Sequence, residues 1–257
     1  MLNFRTINIC FATATVILAF SSMHYPAIAW GIVVLLILYV SLVAYGSSTI
    51  QSGFFLKAIC SGEENTNSFC LTFDDGPNKQ ITPLLLDLLK EANIKVGFFC
   101  IGKNIAGNES ILNRMHQEGH TIGNHTYGHS YFFDFYRKQS VAEELMKAET
   151  KIEQTIGKRT RLFRPPYGVT NPAIRDATKS LDYTNIGWNI RSLDTVIKSE
   201  EKIIKKITSS LKSGSIVLLH DTDLKVLDIV KGLILYSKQN NLSIVSPHKL
   251  LNIEPYR

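Results

Sequence analysis

Between Arg5 and Lys57 the chain carries no Lys, Arg, Asp or Glu. Within that span, Ala27–Tyr45 is an unbroken run rich in Val, Leu and Ile, long enough to cross a bilayer, which takes about 20 residues. Ile7–Phe20 is mostly apolar but shorter, and reads either as a second span or as the core of a signal peptide. Ala27-Ile28-Ala29 has the small-x-small look of a cleavage site, yet the long apolar run begins there, which argues against simple secretion. His24-Tyr25-Pro26 offers a tight turn, so a helical hairpin is the preferred reading. Residues 1–56 are therefore expected to be an integral cell-membrane anchor of one or two transmembrane helices, in contact with membrane lipid. Two spans return the rest of the chain to the N-terminal side, and Arg5 and Lys57 then mark that side as cytoplasmic. A polymeric wall or capsule substrate requires the opposite, one span with the domain outside.

All but one of the 28 basic residues and all 22 acidic ones follow the anchor. The remainder is thus a mildly basic domain beside a membrane, compatible with anionic lipid or glycan. No Lys/Arg block or aromatic-interleaved basic patch occurs, so nucleic acid is not an expected partner. Cys10, Cys60, Cys70 and Cys100 show no CxxC spacing; Cys10 lies in the apolar segment, and Cys70 and Cys100 lie in strand-like runs. Buried free thiols are expected.

From Ser68 onward, short apolar runs alternate with amphipathic segments. The runs fall near Phe69–Phe73, Val96–Ile101, Thr121–Asn124, Leu162–Arg164, Thr184–Ile190, Ile216–Leu219 and Leu242–Val245. Thr82-Pro83 and Asn171-Pro172 read as cap-plus-Pro helix starts, and Ser140 with Glu143 as a capping box. Val141, Leu145, Ala148, Ile152 and Ile156 form one helix face that Gly157 can close, and Ile203, Ile204, Ile207 and Leu211 form another stripe ended by Gly214. Seven strands alternating with helices predict an α/β fold on a parallel sheet, open or closed into a barrel. Asp74 and Asp75 end the first strand, His125 the third, Arg164 the fourth and His220 the sixth, while Asp194 follows the fifth. That C-terminal edge is where parallel sheets build their sites.

Thr72-Phe73-Asp74-Asp75-Gly76-Pro77 ends the first strand on two adjacent carboxylates. Side-by-side like charges are unfavourable unless a cation intervenes. A metal bound by one carboxylate, with the other free as a base, resolves the cost; a solvated turn is the competing account. His125-Thr126-Tyr127-Gly128-His129 spaces two imidazoles four residues apart, which on a helical turn puts both on one face toward one ion. With Asp75 this makes a two-His, one-carboxylate set with open positions, suited to zinc hydrolysis and equally to non-haem iron oxygen chemistry. Phe163-Arg164-Pro165-Pro166-Tyr167-Gly168 is a stiff loop opening on a permanent cation. Arg164 can hold Asp74 ionised, and the turn can aim the Tyr167 N–H at a developing oxyanion. His220 ends an apolar strand near carboxylates, poised to donate a proton near neutral pH. These parts favour hydrolysis, because an oxygenase gains nothing from a second Asp and a separate acid.

The stretches TFDDGP, HTYGH, FRPPYG, WNIRSLDT and VLLHD, in this order between about Ser68 and His248, resemble the five motifs of the NodB-type polysaccharide deacetylase family. The resemblance implies a distorted (β/α) barrel over residues 57–257 and metal-dependent removal of N-acetyl groups from amino sugars. It implies Asp74 as general base, Arg164 positioning it, and Asp75, His125 and His129 as ligands of one divalent metal. His220 becomes the general acid tuned by Asp194, the Tyr167 backbone N–H a donor to the oxyanion, and Trp188 and Leu218 the walls of the acetyl pocket. Zinc is the expected ion; cobalt, manganese, nickel or iron suit the same donors. The fourth motif departs from the common form, with Arg191 where many members carry an acidic residue and Thr195 where Trp is frequent. The aromatic stretch Tyr131–Tyr136 is expected to pack the barrel top rather than line a sugar groove. The expected substrate is an N-acetylated glycan. The alternatives are deformylation or deacetylation of a lipid-linked amino sugar, iron oxygenase chemistry and an inactive carbohydrate-binding relic.

Overall fold

The computed structural model describes residues 3–257. Two helices come first, α1 (Phe4–Ser22) and α2 (Ala29–Ser48), joined through a single helical turn at Pro26–Ile28. Asn3 caps α1 by accepting from the Thr6 N–H at 2.9 Å. Both helices are long and apolar enough to cross a membrane. Their large side chains, among them Val16, Trp30, Ile37 and Leu38, are exposed rather than packed into a core.

The rest of the chain is one α/β unit. Its strands are β1 (Ser68–Asp74), β2 (Gly97–Cys100), β3 (Thr121–Asn124), β4 (Leu162–Phe163), β5 (Thr184–Asn185), β6 (Ile190–Arg191), β7 (Ile216–His220) and β8 (Ser243–Ile244). Seven of them form one ladder in the order β5-β4-β3-β2-β1-β7-β6, and β8 pairs separately with the start of β1. All pairings between these strands are parallel. The helices are α3 (Thr82–Glu91), α4 (Gly102–Ile105), α5 (Glu109–Gln117), α6 (Lys138–Ile156), α7 (Pro172–Ser180), α8 (Glu200–Thr208), α9 (Lys225–Gln239) and α10 (Pro247–Leu251).

The stretch 184–190, read as one strand in the sequence, is two. Thr184 and Asn185 pair with β4 at one edge, whereas Ile190 and Arg191 pair with β7 at the other. Residues 186–189 carry the chain across the opening, with Ile59 bridging Ile186 and accepting from the Gly187 N–H at 2.9 Å. A Cβ on Gly187 would run into the Cys60 sulfur, so only glycine permits this close approach. The outcome is the expected distorted barrel, incompletely laddered between β5 and β6.

Period-two alternation sorts the strand side chains between two environments. Phe69, Leu71 and Phe73 of β1 join Val217 and Leu219 of β7 in the large core under α3, α8 and α9. The intervening Cys70 joins Ile216 and Leu218 in a second cluster with Phe99, Leu162, Ile186 and Trp188. The same alternation gives Asp74 the side of Cys70, and His220 the side of Leu218.

Several local expectations change. Thr82 is the first residue of α3, not its cap; its hydroxyl donates to Asp221 and accepts from the Asn78 N–H at 2.7 Å. α6 begins at Lys138, before Ser140, so the Ser140–Glu143 box does not form. Asn171 does cap α7, accepting from the Ile174 N–H at 2.8 Å, and Gly157 closes α6 in the left-handed region. Cys70 and Cys100 are buried, but Cys10 is exposed on α1 and Cys60 half-buried.

Candidate active site

Arg164 extends from the end of β4 into the barrel and is completely buried. Its Nη1 donates to Asp74 Oδ1 at 2.8 Å and to the Thr72 hydroxyl at 2.8 Å. Its Nε and Nη2 donate to the carbonyls of Ile186 and Gly187 at 3.2 and 2.9 Å, on the segment that spans the barrel opening. The guanidinium lies 4.1 Å from the centre of the Phe99 ring. Burial pushes the Asp74 carboxyl above its ordinary range, and Arg164 opposes that rise.

Asp75 points elsewhere because its backbone turns at φ 77, leaving the strand. Asn104 fixes the turn by donating from Nδ2 to the Asp75 carbonyl at 2.8 Å, and the Ile101 N–H donates to the Gly76 carbonyl at 2.9 Å. The two adjacent carboxylates thereby enter different environments. Asp75 Oδ1 lies 3.6 Å from His125 Nε2 and 3.4 Å from His129 Nε2. It is buried and, among the described residues, has no hydrogen-bond partner. One ligand atom from each of Asp75, His125 and His129 falls within 4.8 Å of the others.

The two histidines do not share a helical turn. The segment after β3 is an irregular loop with Thr126 at φ 65 and His129 at φ 48. Asn124 Oδ1 accepts from the Thr126 N–H at 2.9 Å, the Thr126 hydroxyl accepts from the His129 N–H at 3.1 Å, and Glu144 accepts from the Gly128 N–H at 2.6 Å. His125 donates from Nδ1 to the Arg164 carbonyl at 2.8 Å, which leaves Nε2 with a lone pair toward Asp75. Burial drives its pKa down to about 3, so the ring is neutral. His129 Nδ1 is 3.3 Å from the Tyr167 hydroxyl. A neutral, oriented imidazole, a second imidazole and an unpartnered carboxylate oxygen are the donor set a divalent cation takes.

Tyr167 stands at φ 58 in the Pro165–Gly168 turn, with its side chain partly exposed at the mouth. Its own N–H is not drawn into the turn, whereas the Gly168 and Val169 N–H groups donate back to Pro165 and Pro166. His220, at the end of β7, donates from Nδ1 to Asp194 Oδ1 at 2.9 Å, and its backbone N–H donates to Asp194 Oδ2 at 2.7 Å. Burial works against charging His220, but the hydrogen bond and charge of Asp194, with Asp74 and Asp75 nearby, outweigh it and raise the pKa. Burial likewise works against ionising Asp194, and the bonds from His220 and Ser192 hold its carboxyl below the usual range.

Asp74, Asp75, His125, His129, Tyr167, Trp188, Leu218 and His220 line one cavity of about 160 Å³, with Arg191 and Thr195 at its edge. It adjoins a groove of about 830 Å³ flanked by Lys79, Lys103, Asn108 and Tyr131. Every residue singled out in the sequence is thus brought to one place; Arg164 and Asp194 stand directly behind the cavity-lining Asp74 and His220. Two features escaped the sequence reading. Asp221 is fully buried, accepts from the Thr82 hydroxyl, and has its carboxyl raised by burial to about 7; its signal was its place at the end of the VLLHD stretch, beside His220. The aromatic stretch packs inward only through Phe133, helped by half-buried Tyr136, while Tyr131, Phe132 and Phe135 are exposed. Tyr131 instead stacks at 14° on Tyr167 across the groove, centroids 6.2 Å apart.

A family model described as polysaccharide deacetylase matches residues 61–186. A peptidoglycan-N-acetylglucosamine deacetylase of Bacillus cereus is 34% identical over 167 residues, covering 63% of this chain. This chain spans 58% of the length of that relative. A chitooligosaccharide deacetylase of Azorhizobium caulinodans is 31% identical over 159 residues, covering 62% of this chain and 75% of the relative. The crystal structure of a peptidoglycan N-acetylglucosamine deacetylase superposes with a TM-score of 0.74 at 27% identity, covering 78% of this chain and 95% of that one.

Proposed function

Because the chain belongs to the polysaccharide deacetylase family, we propose that it is a metal-dependent hydrolase that removes N-acetyl groups from the amino sugars of a glycan. The observation that carries the reading is the separation of the two adjacent carboxylates. Asp75 Oδ1 is buried and unpartnered between two imidazoles, while Asp74 is bonded to Arg164.

Asp75, His125 and His129 would hold one divalent cation, zinc by preference of these donors, with cobalt, manganese, nickel or iron also accommodated. Such an ion supplies Lewis acidity and brings the pKa of a water near 7. Asp74, held in place by Arg164, accepts the proton of the attacking water. The Tyr167 backbone N–H donates to the oxygen of the amide carbonyl as its charge grows. Trp188 and Leu218 form the apolar wall that receives the acyl methyl and excludes water from it. His220, its Nδ1 fixed on Asp194, delivers a proton from Nε2 to the leaving nitrogen. The C–N bond breaks, and acetate and a free amino sugar depart.

Residues 1–56 act in this reading as a membrane hairpin, α1 and α2 each spanning the bilayer, with 57–257 as the catalytic domain on the side of the N terminus. A lipid-linked amino sugar is the second substrate class, favoured by one observation. The last turn of α2 is bonded to the active-site rim, Ser47 Oγ donating to the Thr170 carbonyl at 2.8 Å and the Thr170 N–H to the Ser47 carbonyl at 2.9 Å.

Acetate release from N-acetylglucosamine oligomers by the purified full-length protein, before and after chelation and after zinc is restored, tests the chemistry. No release under any metal, together with turnover of a lipid-linked N-acylated sugar, would replace the polymer by the lipid-linked substrate.

A further inference from the structure

Outside the hairpin, the large exposed aromatics among the described residues are Tyr131, Phe132, Phe135 and Tyr167, all on one rim of the barrel. Phe132 is 71% exposed and Phe135 83%. A soluble surface gains nothing from such side chains so close together, and clusters of this kind mark contact surfaces. Tyr131 and Tyr167 face the catalytic groove and are accounted for by it. Phe132 and Phe135 line neither the groove nor the cavity.

The loop that carries them is fastened to the base of the hairpin from two directions. Phe133 is buried in a cluster with Leu56, whose predecessors Phe54 and Phe55 pack against Ile7, Tyr39 and Val43 of α1 and α2. On the other side, Thr170 is bonded to Ser47 at the end of α2, and the next residue, Asn171, donates from Nδ2 to the Asp134 carbonyl at 2.8 Å. The aromatic loop is therefore held beside the point where the apolar helices leave the domain. Arg137 and Lys138 follow it directly, and both are exposed.

Aromatic side chains backed by cations, at the height where a transmembrane helix ends, are the composition of a bilayer interface. We propose that Phe132 and Phe135 seat in the interfacial layer of the bilayer that holds α1 and α2, with Arg137 and Lys138 on its headgroups. The catalytic mouth then opens at the membrane surface, and the sugars it reaches are those presented there. The proposal rests on reading α1 and α2 as a membrane hairpin, and its test separates the two.

The full-length protein carrying Phe132→Trp in a Trp30→Phe background is placed in nanodiscs containing phosphatidylglycerol, with or without brominated acyl chains. The same background without Phe132→Trp gives the emission of buried Trp188 alone. The introduced indole should emit to the blue of a solvated one and lose emission to brominated lipid, to an extent comparable with Trp30 in the unsubstituted protein. Solvent-like, unquenched emission from the introduced indole, with Trp30 still quenched, would show an embedded hairpin and a loop held off the membrane, overturning the proposal. If Trp30 itself escapes quenching, the hairpin reading fails and the proposal with it.

Discussion

Arg164 Nη1 donates at 2.8 Å to Asp74 Oδ1 while the whole guanidinium is sealed from solvent. The same group also serves Thr72 and the carbonyls of Ile186 and Gly187, so one side chain ties β1 to the segment that closes the barrel. A compact ammonium cannot reach all four acceptors. Arg164→Lys should therefore lose most activity and some stability. Arg164→Leu leaves the Asp74 carboxyl buried without its cation, which costs on the order of 3–5 kcal/mol when one partner of a buried pair is removed. Thermal unfolding and acetate release from the two variants check this; near-native activity in Arg164→Lys would refute the positioning role.

The adjacent carboxylates, identical in chemistry, carry different work. Asp75→Asn replaces an anionic donor by a neutral one and should cut metal content, with activity partly returning at high metal concentration. Asp74→Asn should keep its metal and lose turnover by about 10²–10⁴-fold, with no rescue. Metal analysis of both purified proteins, paired with rates, decides. Loss of metal from Asp74→Asn with retention in Asp75→Asn would reverse the assignment.

What the sequence disclosed followed from short-range rules. Short apolar runs alternating with amphipathic helical segments announced parallel strands, whose C-terminal ends share one edge, and with them Asp74, Arg164 and His220. The misses came where tertiary contacts overrode local pattern. The hydroxyl of Thr82 reads as a helix cap, but Asp221, distant in the chain, claims it. His125 and His129 converge through positive φ at Thr126 and His129, a conformation that i,i+4 spacing does not announce. Nothing within 184–190 reveals that its two ends pair with strands on opposite edges, because edge identity is a property of the whole sheet. Exposed Phe132 and Phe135 read as core, since apolar composition alone cannot tell a core from an interface.

His220 is the group whose proton the leaving amine needs, and its pKa is raised above the ordinary 6.5 despite burial. A raised value keeps the acid form loaded below that pKa, so activity should fall as pH climbs through it. Asp194→Asn removes the charge beside His220 and turns a charge-assisted hydrogen bond into a neutral one, so burial depresses the pKa against only the remaining lift from Asp74 and Asp75. The alkaline limb of kcat should shift to lower pH, with kcat lowered at neutral pH. An unchanged limb in pH–rate profiles of the variant would assign it to another group.

Asp221 makes a prediction about stability rather than rate. Its carboxyl titrates near 7 in the fold, against 3.8 ordinarily, because burial penalises the anion more than the Thr82 hydroxyl relieves it. The folded chain therefore keeps this proton between about pH 4 and pH 7, where the unfolded chain has released it. Stability from this group is fully present below the unfolded value and drains away as pH rises toward the folded one. The slope approaches about 1.4 kcal/mol per pH unit. Asp221→Asn stays neutral throughout and can still accept from Thr82, so its contribution should be flat across that window. Thermal unfolding of the full-length protein in detergent at stepped pH, wild type against variant, reads the difference directly. The two curves should diverge from acid toward neutral pH and then run parallel; a constant offset would place the Asp221 titration outside this range.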